Sequence, residues 1–305
     1  MKKQTKIVED KFDERWQTLS RGYEELKRKT KNENYVVYGD MLYSLVNRAL
    51  VTNKYIFNNY RKKSKILDIA CGNGFNTCFL KKNNYNALGF DYSSIAIFQA
   101  EKKAKELKIK DKLFFKKDLN YLKKIKKNSF HVAIALGLTR YLKEKDINLL
   151  YKETYRILKK GGIFIVSNDN DLFEMFAMND GTTKFWCNVI NEFSDVKNLL
   201  KPKKLENEYG NMAKLKRRKY SKNSVSKFIK KRSENPLTYS NFVSKFGFNL
   251  SKISYHDSNV LPPLLENKIS DKKISKLKSK VCTQQADNNW RTMFMSHEFL
   301  GFLKK

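Results

Sequence analysis

Between Lys65 and Phe75 the chain reads KILDIACGNGF, a short apolar run that meets small residues and two glycines before a helix-like segment. That pattern predicts a buried strand, a tight turn and a helix, because glycine and small side chains let backbone approach a neighbour or a ligand closely. Further apolar runs follow at Ala87–Asp91, Leu113–Lys117, Phe130–Leu136 and Ile163–Ser167. Helical patterns separate them at 75–83, Ser93–Leu107 and Asp146–Leu158, the last stopping at Gly161-Gly162. Strands alternating with helices predict βαβ units and a parallel sheet. The expected fold is α/β with a Rossmann-like sheet, mostly parallel with an antiparallel last strand. N-terminal helices precede the sheet, and a helical insertion follows its fifth strand.

Residues 1–60 are expected to form a helical segment, with stripes at Phe12, Trp16, Leu19, Tyr23, Leu26 and at Met41, Leu45, Leu50, broken near Gly39-Asp40. Residues 61–168 form the expected core, 169–235 a basic helical insertion that caps an acceptor, and 236–305 the remainder of the sheet. Within 236–305, a helix Leu237–Phe246 and strands Asn249–His256 and Thr292–Leu303 are expected.

The glycine turn admits two ligand classes. Dinucleotide-binding folds use G-x-G-x-x-G, but Thr77 stands where the third glycine belongs, and Asp68 lies on the strand ahead of the turn. An acid followed by a small-x-Gly-x-Gly turn resembles the first motif of the class I S-adenosylmethionine-dependent methyltransferase family. The resemblance extends in order and spacing over roughly residues 60–170. It implies a cofactor, S-adenosyl-L-methionine, held by Asp68, Ala70, Gly72 and Gly74. It also implies that Asp91 and Tyr92 end the second strand by the ribose, that Asp118 and Leu119 meet the adenine, and that Leu136 lies beside the methionine moiety. A carboxylate at a strand's carboxyl end faces the crevice where open α/β sheets bind ligands, which suits Asp91. Ala70 replaces the family's usual first glycine. Asn168–Trp186, Glu234–Leu237 and Leu261-Pro262-Pro263-Leu264 resemble bacterial methyltransferases associated with surface glycans or small metabolites.

Three residues are candidates for a general base. His256 ends the sixth strand, and Asp169 and Asp171 follow the fifth; the alternatives are a structural histidine and helix-capping acids. Phe173, Phe176, Phe185 and Trp186 could wall an acceptor pocket or build the insertion's core. His131 lies at the wrong end of its strand for chemistry, and Cys71 is read as a packing residue.

The formal net charge is +32, with 63 basic against 31 acidic residues. Such a balance suits a polyanionic partner. However, 52 of those residues are Lys and only 11 Arg, alongside abundant Asn, Ile, Phe and Tyr, as A/T-rich codons would produce. Residues 197–232 carry 14 basic residues against two acidic ones. The expected acceptor is a small molecule, a sugar or surface-glycan precursor methylated on O or N. RNA methylation through the Lys-rich insertion is the second reading, and a non-catalytic cofactor-binding scaffold the third. Four cysteines without CxxC pairing and three dispersed histidines predict reduced thiols and no metal site. With no apolar run of about 18 residues and no signal h-region, a cytoplasmic protein without a membrane span is expected.

Overall fold

The computed structural model describes residues 20–33, 35–37, 40–177, 182, 232–260, 273, 276, 278 and 290–305. Helices α1 (Gly22–Lys31) and α2 (Asp40–Asn59) come first. Then follow β1 (Lys65–Ile69), α3 (Phe75–Lys82), β2 (Asn86–Asp91), α4 (Ser94–Glu106), β3 (Phe114–Lys116) and β4 (Phe130–Ala135). The chain continues through α5 (Glu144–Ile157), β5 (Leu158–Asn170), α6 (Phe173–Ala177) and β6 (Ser233–Glu234). It closes with α7 (Tyr239–Ser244), β7 (Asn249–Ser258), α8 (Trp290–Met295) and β8 (Ser296–Lys304).

The strands form one sheet in the order β3-β2-β1-β4-β5-β8-β7, and β6 pairs with β5. All pairs are parallel except those made by β8, which runs antiparallel to both β5 and β7. This is the Rossmann-like sheet expected from the strand and helix rhythm. Strand periodicity sends alternate residues to opposite faces. Ile66, Val132, Ile134, Ile163, Ile165, Leu300 and Phe302 share one buried cluster with Ile56 of α2 and Leu80 of α3. Leu67, Ile69, Ala133, Phe164, Val166, Phe299 and Leu303 share another with Tyr151 of α5 and Tyr239 and Val243 of α7. Both faces being covered explains why these strands read as continuous apolar runs.

Several boundaries differ from the sequence reading. The fifth strand is far longer than Ile163–Ser167, so Asp169 lies within it and does not follow it. The Gly161-Gly162 pair does not end a helix. Gly161, at φ 75°, lies inside β5, where the register with β4 jumps from Phe130↔Leu158 to Val132↔Ile163. The backbone of Lys305 anchors this bulge: its O accepts from Gly161 N–H and its N–H donates to Gly162 O. Thr292–Met295 is helical rather than extended, and the side chain of Asn170 donates to the carbonyls of Met293 and Ser296 there. The helical stripe at Phe12, Trp16 and Leu19, the break at Gly39, and Phe185 and Trp186 lie outside the described residues. So does nearly all of the basic insertion, while its described ends are α6 and the short strand β6. No helix of the described residues is long and apolar enough to cross a membrane.

One packing contact tests this arrangement. A Cβ built on Gly301 would stand 2.5 Å from Cε1 of Tyr239. The Tyr239 hydroxyl is fixed by Tyr151 Oη at 2.7 Å and Asn168 Nδ2 at 3.1 Å, so the ring has no easy retreat. Gly301→Ala is expected to destabilise the protein by about 1–3 kcal/mol through overpacking. Urea unfolding measures it, and an unchanged midpoint would show that α7 does not sit on β8 in this way.

Candidate cofactor and acceptor site

Because β1 to β5 are parallel, their carboxyl ends lie along one edge of the sheet, where ligands of such folds bind. The turn after β1 uses backbone that most side chains avoid: φ is 57° at Ala70, 55° at Gly72 and 68° at Gly74. Gly74 has no room for a side chain, since a Cβ would stand 2.5 Å from Phe114 and 2.6 Å from Ala100. Cys71 N–H donates to Phe90 O at 3.0 Å, so the turn is also stitched to β2.

Asp91, buried at the end of β2, accepts from Gly72 N–H at 3.0 Å and from Ser93 N–H at 2.9 Å, one bond to each oxygen. A carboxylate has about four acceptor positions, so further donors such as ribose hydroxyls can be received. Asp68 accepts the Thr77 hydroxyl at 2.6 Å. Thr77 therefore has a polar role where a dinucleotide fold keeps its third glycine. The close approach moves instead to Gly89, whose Cβ would stand 2.8 Å from that of Cys71. Burial raises the Asp68 pKa and the Thr77 bond opposes it; with the charge of Asp91 the result is about 7. Burial likewise pushes the Cys71 thiol well up, which suits a packing residue and not a nucleophile.

Tyr92 is partly exposed beside Asp91. Asp118 follows β3 and accepts from Asn120 N–H at 3.0 Å, capping a short 3₁₀ turn that begins at Leu119. Leu136 follows β4, half-buried. The structure thus sets Asp68, Ala70, Gly72, Gly74 and Asp91 around one turn. Asp118, Leu119 and Leu136 stand at the ends of the outer and inner neighbouring strands. The cradle fits a nucleoside-bearing cofactor through its left-handed backbone and its carboxylate at the tip of the adjacent strand.

The other candidates divide. Asp171 accepts from the Ser233 hydroxyl at 2.9 Å, and its N–H donates to Glu234 O, so it ties β5 to β6. Asp169 and His256 meet a cluster that the sequence reading did not foresee. Asp169, Glu298 and His256 are neighbours across β5, β8 and β7 in register. His256 Nε2 lies 3.0 Å from Glu298 Oε2, and Arg48 Nη1 of α2 lies 2.9 Å from the same oxygen. Arg140, in the segment after β4, bridges Glu298 Oε1 and Asp169. Burial alone would raise the Glu298 pKa, but Arg140, Arg48 and the His256 bond together hold it well below the ordinary carboxylate range. Arg48 also packs against the end of β4, since a Cβ on Gly137 would stand 2.8 Å from its Nη2. Arg48 and Glu298 each had a signal in the sequence: each is a charge set within an apolar run, Leu45–Leu50 and Phe294–Leu303. Asp169, His297 and Glu298 offer ligand atoms within 4.8 Å of one another. A cation there would face the guanidinium groups on Glu298 and Asp169, so the donor set does not suit a metal.

A sheet of order 3-2-1-4-5 continued by an antiparallel pair, with an acid, a left-handed glycine turn and a second acid at the next strand's tip, defines an S-adenosylmethionine-binding class I methyltransferase fold. In agreement, residues 66–162 match the family described as methyltransferase domain. Over 101 residues it is 32% identical to a sterol 24-C-methyltransferase, erg6, of Aspergillus fumigatus. That stretch is 33% of this chain, and it spans about a quarter, 26%, of the relative's length. Among solved structures, it is similar to an S-adenosylmethionine-dependent methyltransferase from Archaeoglobus fulgidus, at 15% identity and TM-score 0.49, covering 85% of this chain and 94% of that one. A second such methyltransferase, from Mesorhizobium loti, gives 13% identity and TM-score 0.49, covering 85% and 98%.

The raised Asp68 pKa has a pH consequence. An acid whose folded pKa exceeds its unfolded value, here about 7 against 3.8, costs stability that appears as pH rises between the two values and persists above them. Asp68→Asn is expected to melt higher than wild type at about pH 8 and to lose that advantage at about pH 4, where the wild-type carboxyl is protonated. Thermal melts of the cofactor-free protein check this; a constant difference across pH would exclude a buried, proton-binding Asp68.

Proposed function

We propose that this protein transfers a methyl group from S-adenosyl-L-methionine to a small-molecule acceptor in the cytoplasm, the acceptor being a sugar or surface-glycan precursor. The observation that carries the reading is the joint geometry of the left-handed turn after β1 and the Asp91 carboxylate facing it. When bound, S-adenosylmethionine supplies an electrophilic methyl group on a sulfonium. Asp91 and Tyr92 receive the ribose, Asp118 and the Leu119 N–H the adenine, and Leu136 lies along the methionine moiety. Asp68 steadies the turn through Thr77. His256 and Asp169, near the ends of β7 and β5, and Asp171, just after β5, belong to the acceptor side. The protein's part is to align the acceptor with the methyl group and exclude water, which suits a cap formed by residues 169–235.

RNA methylation is supported by one feature, the net charge of +32 with its basic concentration at 197–232. Filter retention of a total RNA sample at low salt, falling steeply at moderate salt, is expected of that reading. No retention at low salt ends it.

Calorimetric titration with S-adenosylmethionine and, separately, NAD is expected to show binding of the first only. The reverse outcome would move the site to the dehydrogenases. Asp91→Ala leaves the ribose hydroxyls and two backbone N–H groups unpaired, so S-adenosylmethionine affinity should fall about tenfold or more. An unchanged Kd would remove Asp91 from the site.

A further inference from the structure

Among the described residues, basic charge gathers at the sheet edge opposite the cofactor crevice. There β1 to β5 and β7 begin and β8 ends. The segments at that edge, 60–65, 81–85, 107–113, 123–129, 159–161, 245–248 and 304–305, carry 18 basic residues against one acid, Asp111. Fifteen of the 18 are exposed. Asp111 is itself held by Lys81 of the neighbouring segment at 2.6 Å. At the other edge, the segments leaving β1 to β5, at 70–74, 92–93, 117–118, 136–143 and 171–172, carry the bases Lys117, Arg140 and Lys143 and the acids Asp118 and Asp171. A codon bias toward Lys acts on both edges alike, so it does not account for the difference. The asymmetry calls for an anionic partner at one edge.

The form of the patch selects the partner. Seven strand ends side by side make a rim about 30 Å wide. Seventeen of the 18 residues are Lys, Arg61 being the exception. Lys acts as a point charge, where Arg would grip one phosphate in two places. The exposed large apolar side chains Tyr92, Phe98, Met175, Leu237 and Trp290 all lie outside these segments, so among the described residues no exposed aromatic ring is offered there for bases to stack on. Many single charges without stacking rings suit a diffuse layer of anionic headgroups. The positive field is felt by His131, at the start of β4: burial first, then the charges of Lys159, Arg61 and Lys65, lower its pKa. We infer that this edge docks the protein on an anionic phospholipid surface, by charge alone and without a span. The left-handed turn and Asp91, at the opposite edge, then face away from the lipid. The inference goes beyond the methyltransferase reading and does not depend on the acceptor.

Flotation of the full chain with vesicles tests it. Phosphatidylcholine vesicles containing about one third phosphatidylglycerol are expected to carry the protein up at about 0.1 M salt and to release it at about 0.5 M, where charges are screened over a few ångströms. Pure phosphatidylcholine vesicles are expected to leave it behind. Lys110→Glu, Lys126→Glu, Lys127→Glu and Lys160→Glu together, all exposed at this edge, should lower partitioning about a hundredfold while S-adenosylmethionine Kd stays within about threefold. Should that variant not fold, Lys110→Gln with Lys160→Gln, expected to cost about tenfold, decides. Lys214→Glu, Lys216→Glu, Lys219→Glu and Lys222→Glu, in the basic run of the insertion, should leave partitioning within about threefold. No flotation at about 0.1 M salt, or a larger loss from the insertion set than from the edge set, overturns the inference. Retention of duplex RNA that the edge substitutions abolish, with vesicles unbound, gives the edge to nucleic acid and overturns it as well. Flotation is read without cofactor, so wild-type protein that fails to bind S-adenosylmethionine sinks the broader function separately.

Discussion

The carboxylate of Asp91 holds two backbone N–H groups, one from Gly72 in the turn after β1 and one from Ser93 at the head of α4. Each turn alone would be a loop end with unsatisfied donors. Joined through one buried carboxylate, they become a fixed rim on adjacent parallel strands. The rim depends on close contacts underneath it: Gly74 against Phe114 and Ala100, and Gly89 against Cys71 and Thr77. Small residues at those points let α3 and α4 settle close to the sheet. The same closeness buries Asp68 enough to raise its pKa to about 7. The left-handed backbone, the buried acids and the glycines are therefore parts of one constraint.

Legibility in the sequence followed the range of each interaction. The turn from Asp68 to Gly74 and the acid at Asp91 are set by a few neighbouring residues and by strand periodicity, so they could be read directly. The start of α4 near Ser93 was equally local; there the Ser93 hydroxyl accepts from Ala96 N–H at 3.0 Å. The Gly161-Gly162 pair misled because a glycine with positive φ serves a helix end and a strand bulge alike. Only its pairing with Lys305, far along the chain, decides between them. Similarly, Thr292–Met295 looked extended from composition, yet Asn170 on β5 holds it in a helix. Glu298, Arg48 and Arg140 were invisible as a group. They are separated by 250 and 158 residues and meet only when α2, the segment after β4 and β8 come together.

That group also shows how the two halves of the edge differ. Around the turn after β1, buried acids are satisfied by backbone N–H and hydroxyl donors. Beyond β4, they are satisfied by guanidinium groups. Ion pairs of this kind gain little net stability over an apolar core, because desolvation offsets the attraction. They do, however, make the loss of any one partner costly, about 3–5 kcal/mol, since the remaining charges stay buried. The β5–β8–β7 end is thus specified in an all-or-none way, while the rim at β1 and β2 is built from local turns.

Strand β8 is the latest of the described strands in sequence, yet it lies in the interior of the sheet, between β5 and β7. Neither neighbour has its full set of partners until β8 slides in. Pairings between such distant segments form slowly, because a long stretch of chain must be ordered before they close. During synthesis, the half from β1 to β4 can assemble early, whereas Arg48 and Arg140 wait for the carboxylate that β8 carries. Completion of the sheet and neutralisation of the Arg48 and Arg140 charges are consequently one event, so a chain caught before that step would have a formed rim at Asp91 beside an open, positively charged gap.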